Sequence, residues 1–434
     1  MDAIFSNKLE KSIATITIKL QKTLIYKVFR KSILSTLPFV ILGSFLKLLQ
    51  ILFLEKGSLL MTFFPQIDNF NWLITFDSIV NLIYGLTLGI ISLMATFSSA
   101  NFTASHFDRD GQMAGTTSFV CLLLLSYTFP NNRLISFNPD ILGLRGLLFA
   151  LIVGMAVGWI FSKTSKKLTS DSSKDLLNRY LNSFWSVTLV IVLVSLVSFF
   201  IEISLNSTNL FSNLITNSIN NKSQLAELFK TLLLSFFSII AAFLGWRGFY
   251  TQPIGMGDST VLKNLNYAFS HHSAWGAPNI FNGDTLYYAF GSFGGVGSVL
   301  ALIVAIMLFS KNKNYNKISK VSIVPSIFNI DAPMMVGLPL LFNPLFIVPM
   351  ILAPICSMLV AALGLVIHLM PPSVYPIPVG TPGFLNAFIG TNGSWQALVF
   401  TILTFIISVL IYIPFVKLAD KINDYTDSEV NTLE

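Results

Sequence analysis

ALVFTILTFIISVLIYIPFV, residues 397–416, is an uninterrupted stretch without a charged side chain, and its reading decides the class of fold. Twenty residues at about 1.5 Å rise each make a helix of about 30 Å, the thickness of a bilayer's hydrocarbon core. In lipid, backbone N–H and C=O groups have to pair within their own segment, so a run of this kind has to be helical. Comparable apolar runs lie near 33–54 (with Pro38 inside), 77–98, 112–129, 141–162, 184–205, 228–246, 285–309 and 345–369. Over all 434 residues, 53% are hydrophobic and 11% are charged, and the mean hydropathy is +0.72. A soluble domain carries about 25% charged residues to cover its surface. The chain therefore reads as an all-α polytopic membrane protein, and a stand-alone soluble enzyme is excluded.

The net charge of +7 would suit nucleic acid if it were spread over one surface, but it is clustered beside the runs. Lys8, Lys11, Lys19, Lys22, Lys27, Arg30 and Lys31 precede the first run; Lys163, Lys166, Lys167, Lys174 and Arg179 share one loop. Lys311, Lys313, Lys317 and Lys320 fill another, and Lys417 and Lys421 follow the last run. Basic clusters of this kind mark cytoplasmic loops, which places both termini in the cytoplasm of a cell membrane and leaves nucleic acid out. Residues 5–30 alternate apolar and basic positions, as in a helix lying on the membrane surface. No short apolar leader precedes them. With the N-terminus inside, five crossings put the asparagine-rich segment 206–227 outside. Cys121 and Cys356 both fall inside apolar runs and read as small buried hydrophobes, so neither a disulfide, a metal nor a cofactor is implied.

The second half is less regular. Residues 247–284 form no clean span, and Pro and Gly recur through 326–344 and 371–395. Non-helical backbone at membrane depth is tolerated only where it is buried or lines a watery cavity, so interrupted segments point to a substrate site near the midplane. The basic loops after 162 and after 309 require an even number of crossings between them. Three runs are evident there, so a further irregular segment crosses or 247–284 supplies a broken helix.

Four stretches, in order, resemble the membrane permease component (EIIC) of the bacterial sugar phosphotransferase system, in its lactose/cellobiose/diacetylchitobiose group. SHFDRDGQMAGTTSF (105–119) is similar to that family's turn motif K-x-D-x-x-x-A-G. APNIFNGDTLYYAFGSFGGVGSVLAL (277–302) is similar to PxIFT…GGSGATLGL. FNIDAPMMVGLPLLFNPLFIVPMILAP (328–354) is similar to FNINEPVxFGLPIVxNPxxxIPFxLAP, and PIPVGTPGFLNAFIGTNGSWQA (376–397) to PIPWTTPGxxxxFxxTGGxxxA. The resemblance implies about ten transmembrane helices with two re-entrant hairpins, a homodimer in the lipid bilayer, and a sugar site in the C-terminal half. On that pattern the chain divides into an amphipathic cytoplasmic helix (1–31), an N-terminal scaffold and dimerisation domain (32–205) and an external interfacial segment (206–227). A substrate-binding domain with hairpins (228–416) and a cytoplasmic tail (417–434) complete it. The resemblance further implies that a disaccharide entering from outside is presented to a phosphocysteine on a separate IIB protein, itself charged by IIA.

The sequence departs from the family where that chemistry happens. Gly245-Trp246-Arg247-Gly248 stands for the family's G-I-H-G, and Ala332 stands for the glutamate of N-E-P. Val379 replaces the tryptophan of PIPWTTP. Phosphoryl transfer to an alcohol gains from a carboxylate that accepts the hydroxyl proton and a neighbour that orients it, and alanine does neither. Asp331 either replaces the glutamate across a rebuilt turn or is a turn and N-cap residue. Arg247 either clamps hydroxyls or an anion with its fork of donors or snorkels at the interface. Trp246, Trp275 and Trp395 offer stacking faces for a sugar ring or serve as membrane-belt anchors. Asn282, Asp284, Asn343, Thr381 and Asn392 lie within matched segments and are candidates for sugar contacts. His271 and His272 face solvent or touch substrate, His106 and His368 anchor span ends, and Asp108 and Asp110 are structural.

Two functional readings follow. The first is a phosphotransferase-system permease for a β-linked disaccharide such as cellobiose or diacetylchitobiose, at most the membrane part of a multi-component enzyme, with its phosphate coupling in question. The second is a degenerate permease acting as receptor, sensor or uncoupled facilitator. A channel fits poorly, since no ring of like charges appears within the runs.

Overall fold

The computed structural model describes residues 8–55, 58, 63–64, 71–128, 136–167, 176–205, 223–244, 250, 259–338 and 340–431. Among these, seven helical stretches are long and apolar enough to cross a membrane: 37–54, 72–106, 144–164, 180–199, 224–243, 344–366 and 395–425. Two shorter apolar helices, Gly111–Ser126 and Val299–Phe309, accompany them. The chain is thus an α-helical membrane protein of many spans. The external segment expected at 206–227 lies almost wholly outside the described residues.

The amphipathic stretch expected as one helix is two, α1 (Lys8–Lys22) and α2 (Leu24–Ser35). Thr23 between them adopts extended backbone, and its hydroxyl accepts a hydrogen bond from the Tyr26 N–H at 3.3 Å, which caps α2. A capping threonine ends one helix and starts the next, a local signal that amphipathic periodicity alone overlooks. Pro38, expected within the first span, is the second residue of α3 (Leu37–Leu49), where its missing N–H costs nothing. A π-helical turn, Gln50–Leu54, continues α3. The remaining long helices are α4 (Asn71–Thr87), α5 (Ile91–His106), α6 (Gly111–Ser126), α7 (Leu147–Thr164), α8 (Leu176–Leu205) and α9 (Gln224–Phe243). They are followed by α10 (Ser259–His271), α11 (Val299–Phe309), α12 (Lys313–Ile327), α13 (Ala332–Gly337), α14 (Pro344–Val366) and α15 (Trp395–Asn431).

The chain forms two compact units, one of residues 21–40 and 85–220, the other of 1–20, 41–84 and 221–434. In the first, α5, α6 and α7 pack through small residues. Gly154 and Gly158 of α7 lie so close to Thr96, Ala100 and Thr103 of α5 that a Cβ on either glycine would collide with backbone. Spaced four apart, they form the small-xxx-small pattern by which membrane helices approach without a hydrophobic driving force. Serine hydroxyls reinforce it: Ser99 donates to the Leu151 carbonyl of α7 at 2.9 Å, and Ser92 to the Gly143 carbonyl just ahead of that helix at 2.8 Å. Such interhelical bonds contribute about 0.6 kcal/mol each. Cys121 is buried there among Ala114, Val153 and Val190, as a small hydrophobe.

In the second unit, α14 and α15 pack side by side, with Ser357 donating to the Thr404 carbonyl at 3.1 Å and Gly364 against Phe400. Their shared core receives the segment expected as a continuous span over 285–309. That run is broken. A π-helical turn, Asp284–Gly291, gives way to a glycine-rich loop at 292–298 before α11 begins. Leu286, Tyr287, Ala289 and Phe290 of the π turn are buried against Met358, Ala361 and Leu365 of α14.

Candidate functional site

Within this unit the matched stretches 277–302, 328–354 and 376–397 converge on the glycine-rich loop. After α12, Asn329 takes left-handed backbone (φ 62°), which asparagine tolerates better than most residues. Its Oδ1 accepts the Gly294 N–H at 3.0 Å, and two residues on, Asp331 Oδ2 accepts the Val296 N–H at 2.9 Å. The turn Asn329–Ile330–Asp331 therefore staples a loop 35 residues earlier in the chain. Gly295, between the two stapled positions, sits at φ 104°, and a Cβ there would lie 2.5 Å from Asp331 Oδ2. Only glycine allows both the backbone conformation and the approach of the carboxylate. From the other side, the Tyr412 hydroxyl donates to the Gly297 carbonyl, and Ser298 Oγ donates to the Gly291 carbonyl at 2.8 Å. Gly383, in the third stretch, packs against the amide of Asn329.

Asp331 stands at the N-cap position of α13, yet its side chain makes no cap. Its carboxylate accepts the Val296 N–H instead, while its backbone carbonyl accepts the Met334 and Met335 N–H groups at the start of α13. It lies outside the candidate spans, and burial pushes its carboxyl up to about 6, opposed by the Val296 and its own N–H groups. Ala332, the next residue, is buried and opens α13. Val379 is 41% exposed and forms a parallel bridge with Ser58.

The other candidates divide. Asn282 Oδ1 accepts the Thr285 N–H at 2.8 Å, and Asp284 opens the π turn half-buried. Both lie at its start, where Asn264 also clamps Asn279 through its N–H (2.9 Å) and its carbonyl (2.7 Å). Thr381 closes its own turn on the Pro378 carbonyl at 2.8 Å. Asn343 caps α14 by accepting the Leu345 N–H at 3.2 Å, ahead of Pro344. Asn392 and Trp395 are exposed at the start of α15, and Trp275 is exposed after α10. The histidine pair ends α10: His271 stacks on Tyr267 with ring centroids 4.0 Å apart, and both His271 and His272 are exposed. Asp110 caps α6 through the Met113 N–H at 3.2 Å. Trp246 and Arg247 lie outside the described residues.

Sequence reasoning passed over the tyrosines. Tyr287 and Tyr288 sit mid-way along the π turn, and Tyr250 stacks on Tyr287 at 5.4 Å with 29° between planes. Tyr288 meets Tyr287 edge-on at 5.5 Å, and Asn386 donates to its backbone carbonyl at 3.2 Å. The available signal was a tyrosine doublet inside an otherwise apolar run.

Comparison with known proteins adds the following. The family model described as Phosphotransferase system, EIIC matches residues 30–354. The chain is 34% identical, over 234 residues, to the PTS system cellobiose-specific EIIC component of Lactococcus lactis subsp. lactis (strain IL1403). That match spans 49% of this chain and about half, 47%, of the relative's length. The PTS system oligo-beta-mannoside-specific EIIC component of Bacillus subtilis (strain 168) is 26% identical over 435 residues, covering 96% of this chain and 94% of the relative. Among solved structures, the transporter ChbC, the IIC component from the N,N'-diacetylchitobiose-specific phosphotransferase system, is 20% identical, with a TM-score of 0.39. That match covers 96% of this chain and 98% of ChbC.

Proposed function

The chain belongs to the phosphotransferase system EIIC family, and from that membership we propose that it is the membrane permease of a sugar phosphotransferase system, carrying a β-linked disaccharide such as cellobiose or diacetylchitobiose. The observation that carries the reading is the match of the EIIC family model over 30–354, the span that holds both the π turn and the Asn329–Asp331 turn. The names of the relatives, cellobiose-specific and oligo-beta-mannoside-specific, support a β-linked substrate. Cytoplasmic IIB and IIA phosphocarriers are the partners this role requires, and a homodimer with cytoplasmic termini in the plasma membrane is the assembly we assign to it.

Coupling to phosphate is altered or lost in this reading. A carboxylate able to take the proton of the reacting hydroxyl is missing at Ala332, and Asp331 is engaged by Val296. These two observations favour a second reading, in which the chain binds sugar as an uncoupled facilitator, receptor or sensor. Counterflow of labelled cellobiose and diacetylchitobiose in proteoliposomes, without a phosphodonor, tests the first reading. Accumulation supports sugar translocation; no counterflow by folded protein across a panel of β-linked sugars overturns it in favour of a receptor.

A further inference from the structure

The Asp331 carboxylate joins two elements and has no cation. Its Oδ2 accepts the Val296 N–H, and among the described residues no lysine, arginine or histidine pairs with it. The loop 292–298, α13 and the stretch 376–397 hold no titratable side chain, and the lysines of α12 end at Lys320. The π turn brings Asp284 at its start and Tyr287, which interacts electrostatically with Asp331; Tyr412 of α15 reaches the same loop through Gly297. Water has access, because Asp331, Asn329, Gly295 and Val296 are half-buried rather than sealed. Holding an ionised carboxylate partly out of water without a cation is costly, which is why its carboxyl is raised from the ordinary 3.8 to about 6. The loop it grips is built to move: Gly294, Gly295 and Gly297 all take positive φ, and glycine has other backbone conformations of similar energy open to it.

We propose that Asp331 is a proton-binding site that locks the glycine-rich loop: protonated, it stays packed against Val296, and ionised, it draws toward water and frees the loop. The step takes one proton from water onto the carboxylate, forming an O–H bond and removing the negative charge. Oδ2 remains an acceptor for the Val296 N–H. Linkage fixes the direction. The carboxyl holds its proton more tightly with the loop closed than in water, so closure gains as pH falls, and that gain is lost as pH rises through about 6. A carboxyl that titrates at 3.8 when open and about 6 when closed changes the opening equilibrium about 10-fold between about pH 5 and about pH 7. The inference goes beyond the transport reading and needs no sugar: loop position follows protons at a site where the family's reacting pair is replaced.

Hydrogen exchange at the Val296 amide, followed by mass spectrometry of the peptide that holds it, reads the loop in purified protein in detergent without sugar. After correction for the intrinsic exchange rate, the unaltered chain is expected to exchange about 10-fold more slowly at about pH 5 than at about pH 7. Asp331→Asn, which keeps an acceptor but cannot ionise, should show the same corrected rate at both. Equal corrected rates in the unaltered chain overturn the proposal, and so does a pH effect that survives in Asp331→Asn. The other side chains that titrate in this range, His106, His271, His272 and His368, are exposed and none bonds the loop. Should Asp331→Asn fail to fold, the chain carrying His106→Gln, His271→Gln, His272→Gln and His368→Gln decides. A pH effect that persists there supports Asp331, and one that disappears assigns it to a histidine and overturns the proposal.

Discussion

Replacing Gly295 with alanine tests whether the Asn329–Asp331 turn holds the glycine-rich loop in place. The backbone at Gly295 has φ 104°, and an added Cβ would lie 2.5 Å from Oδ2, 2.6 Å from Cβ and 2.7 Å from Cγ of Asp331. A side chain in left-handed backbone costs about 1–2 kcal/mol before any collision is counted. The collision is with the near end of a short side chain, so Asp331 has to leave the Val296 N–H, a hydrogen bond to a charged group worth about 1.5–3 kcal/mol. Together the two effects reach about 2.5–5 kcal/mol, a large part of a marginal folding free energy. Thermal unfolding in detergent, followed by the loss of helical circular dichroism, reads the change in stability. Asp331→Asn keeps an acceptor for Val296 and should cost less. Gly85→Ala is the control: it lies in α4 with no atom within 4 Å of an added Cβ, so alanine should stabilise by about 0.5–1 kcal/mol. A Gly295→Ala protein that melts with the unaltered chain, while the control behaves as described, refutes the staple.

Three further outcomes are expected. Asn264→Ala leaves the Asn279 N–H and carbonyl without their clamp, and should destabilise by about 1–3 kcal/mol in the same unfolding assay. Glu10→Ala removes the partly exposed ion pair with Lys421 (3.5 Å); the change should stay below about 1 kcal/mol and vanish in high salt. A salt-independent loss would mean that Glu10 works through something other than this pair. Arg247→His combined with Ala332→Glu restores the family's reacting pair, and should create or raise phosphate-dependent sugar uptake in vesicles supplied with IIB. Uptake unchanged by phosphodonor would show that the site has diverged beyond those two positions.

The spans were legible where hydropathy and helix length say the same thing. The runs read at 345–369 and 228–246 lie on α14 and α9 with ends displaced by a few residues, and the run at 397–416 lies within α15, which continues to Asn431. The run at 285–309 misleads because a hydropathy sum does not register that Gly294, Gly295 and Gly297 all adopt positive φ. Nothing local says that this loop's N–H groups find their acceptors on Asn329 and Asp331. The small-residue seam of α5 and α7 was readable in Gly154 and Gly158, but only once their partner helix is known. At the site, Asn343 before Pro344 declares a helix cap in four letters, whereas the role of Asp331 depends on a non-local contact that no turn rule contains. Tyr287 and Tyr288 were hidden by being apolar enough to pass as span.

The broken run has a consequence for how the chain is made. When the loop at 292–298 is synthesised, the side chains that pair its amides still lie 35 residues ahead in the chain. At about 5–20 residues per second that wait is about 2–7 s, long compared with helix formation. Until the Asn329–Asp331 turn is made, the Gly294 and Val296 N–H groups lack the acceptors they have in the folded chain. Chains truncated between 310 and 328 lack both acceptors, so the loop 292–298 is expected to lose its fold in them, read as greater reactivity of a cysteine placed at Ser292 than in the full chain.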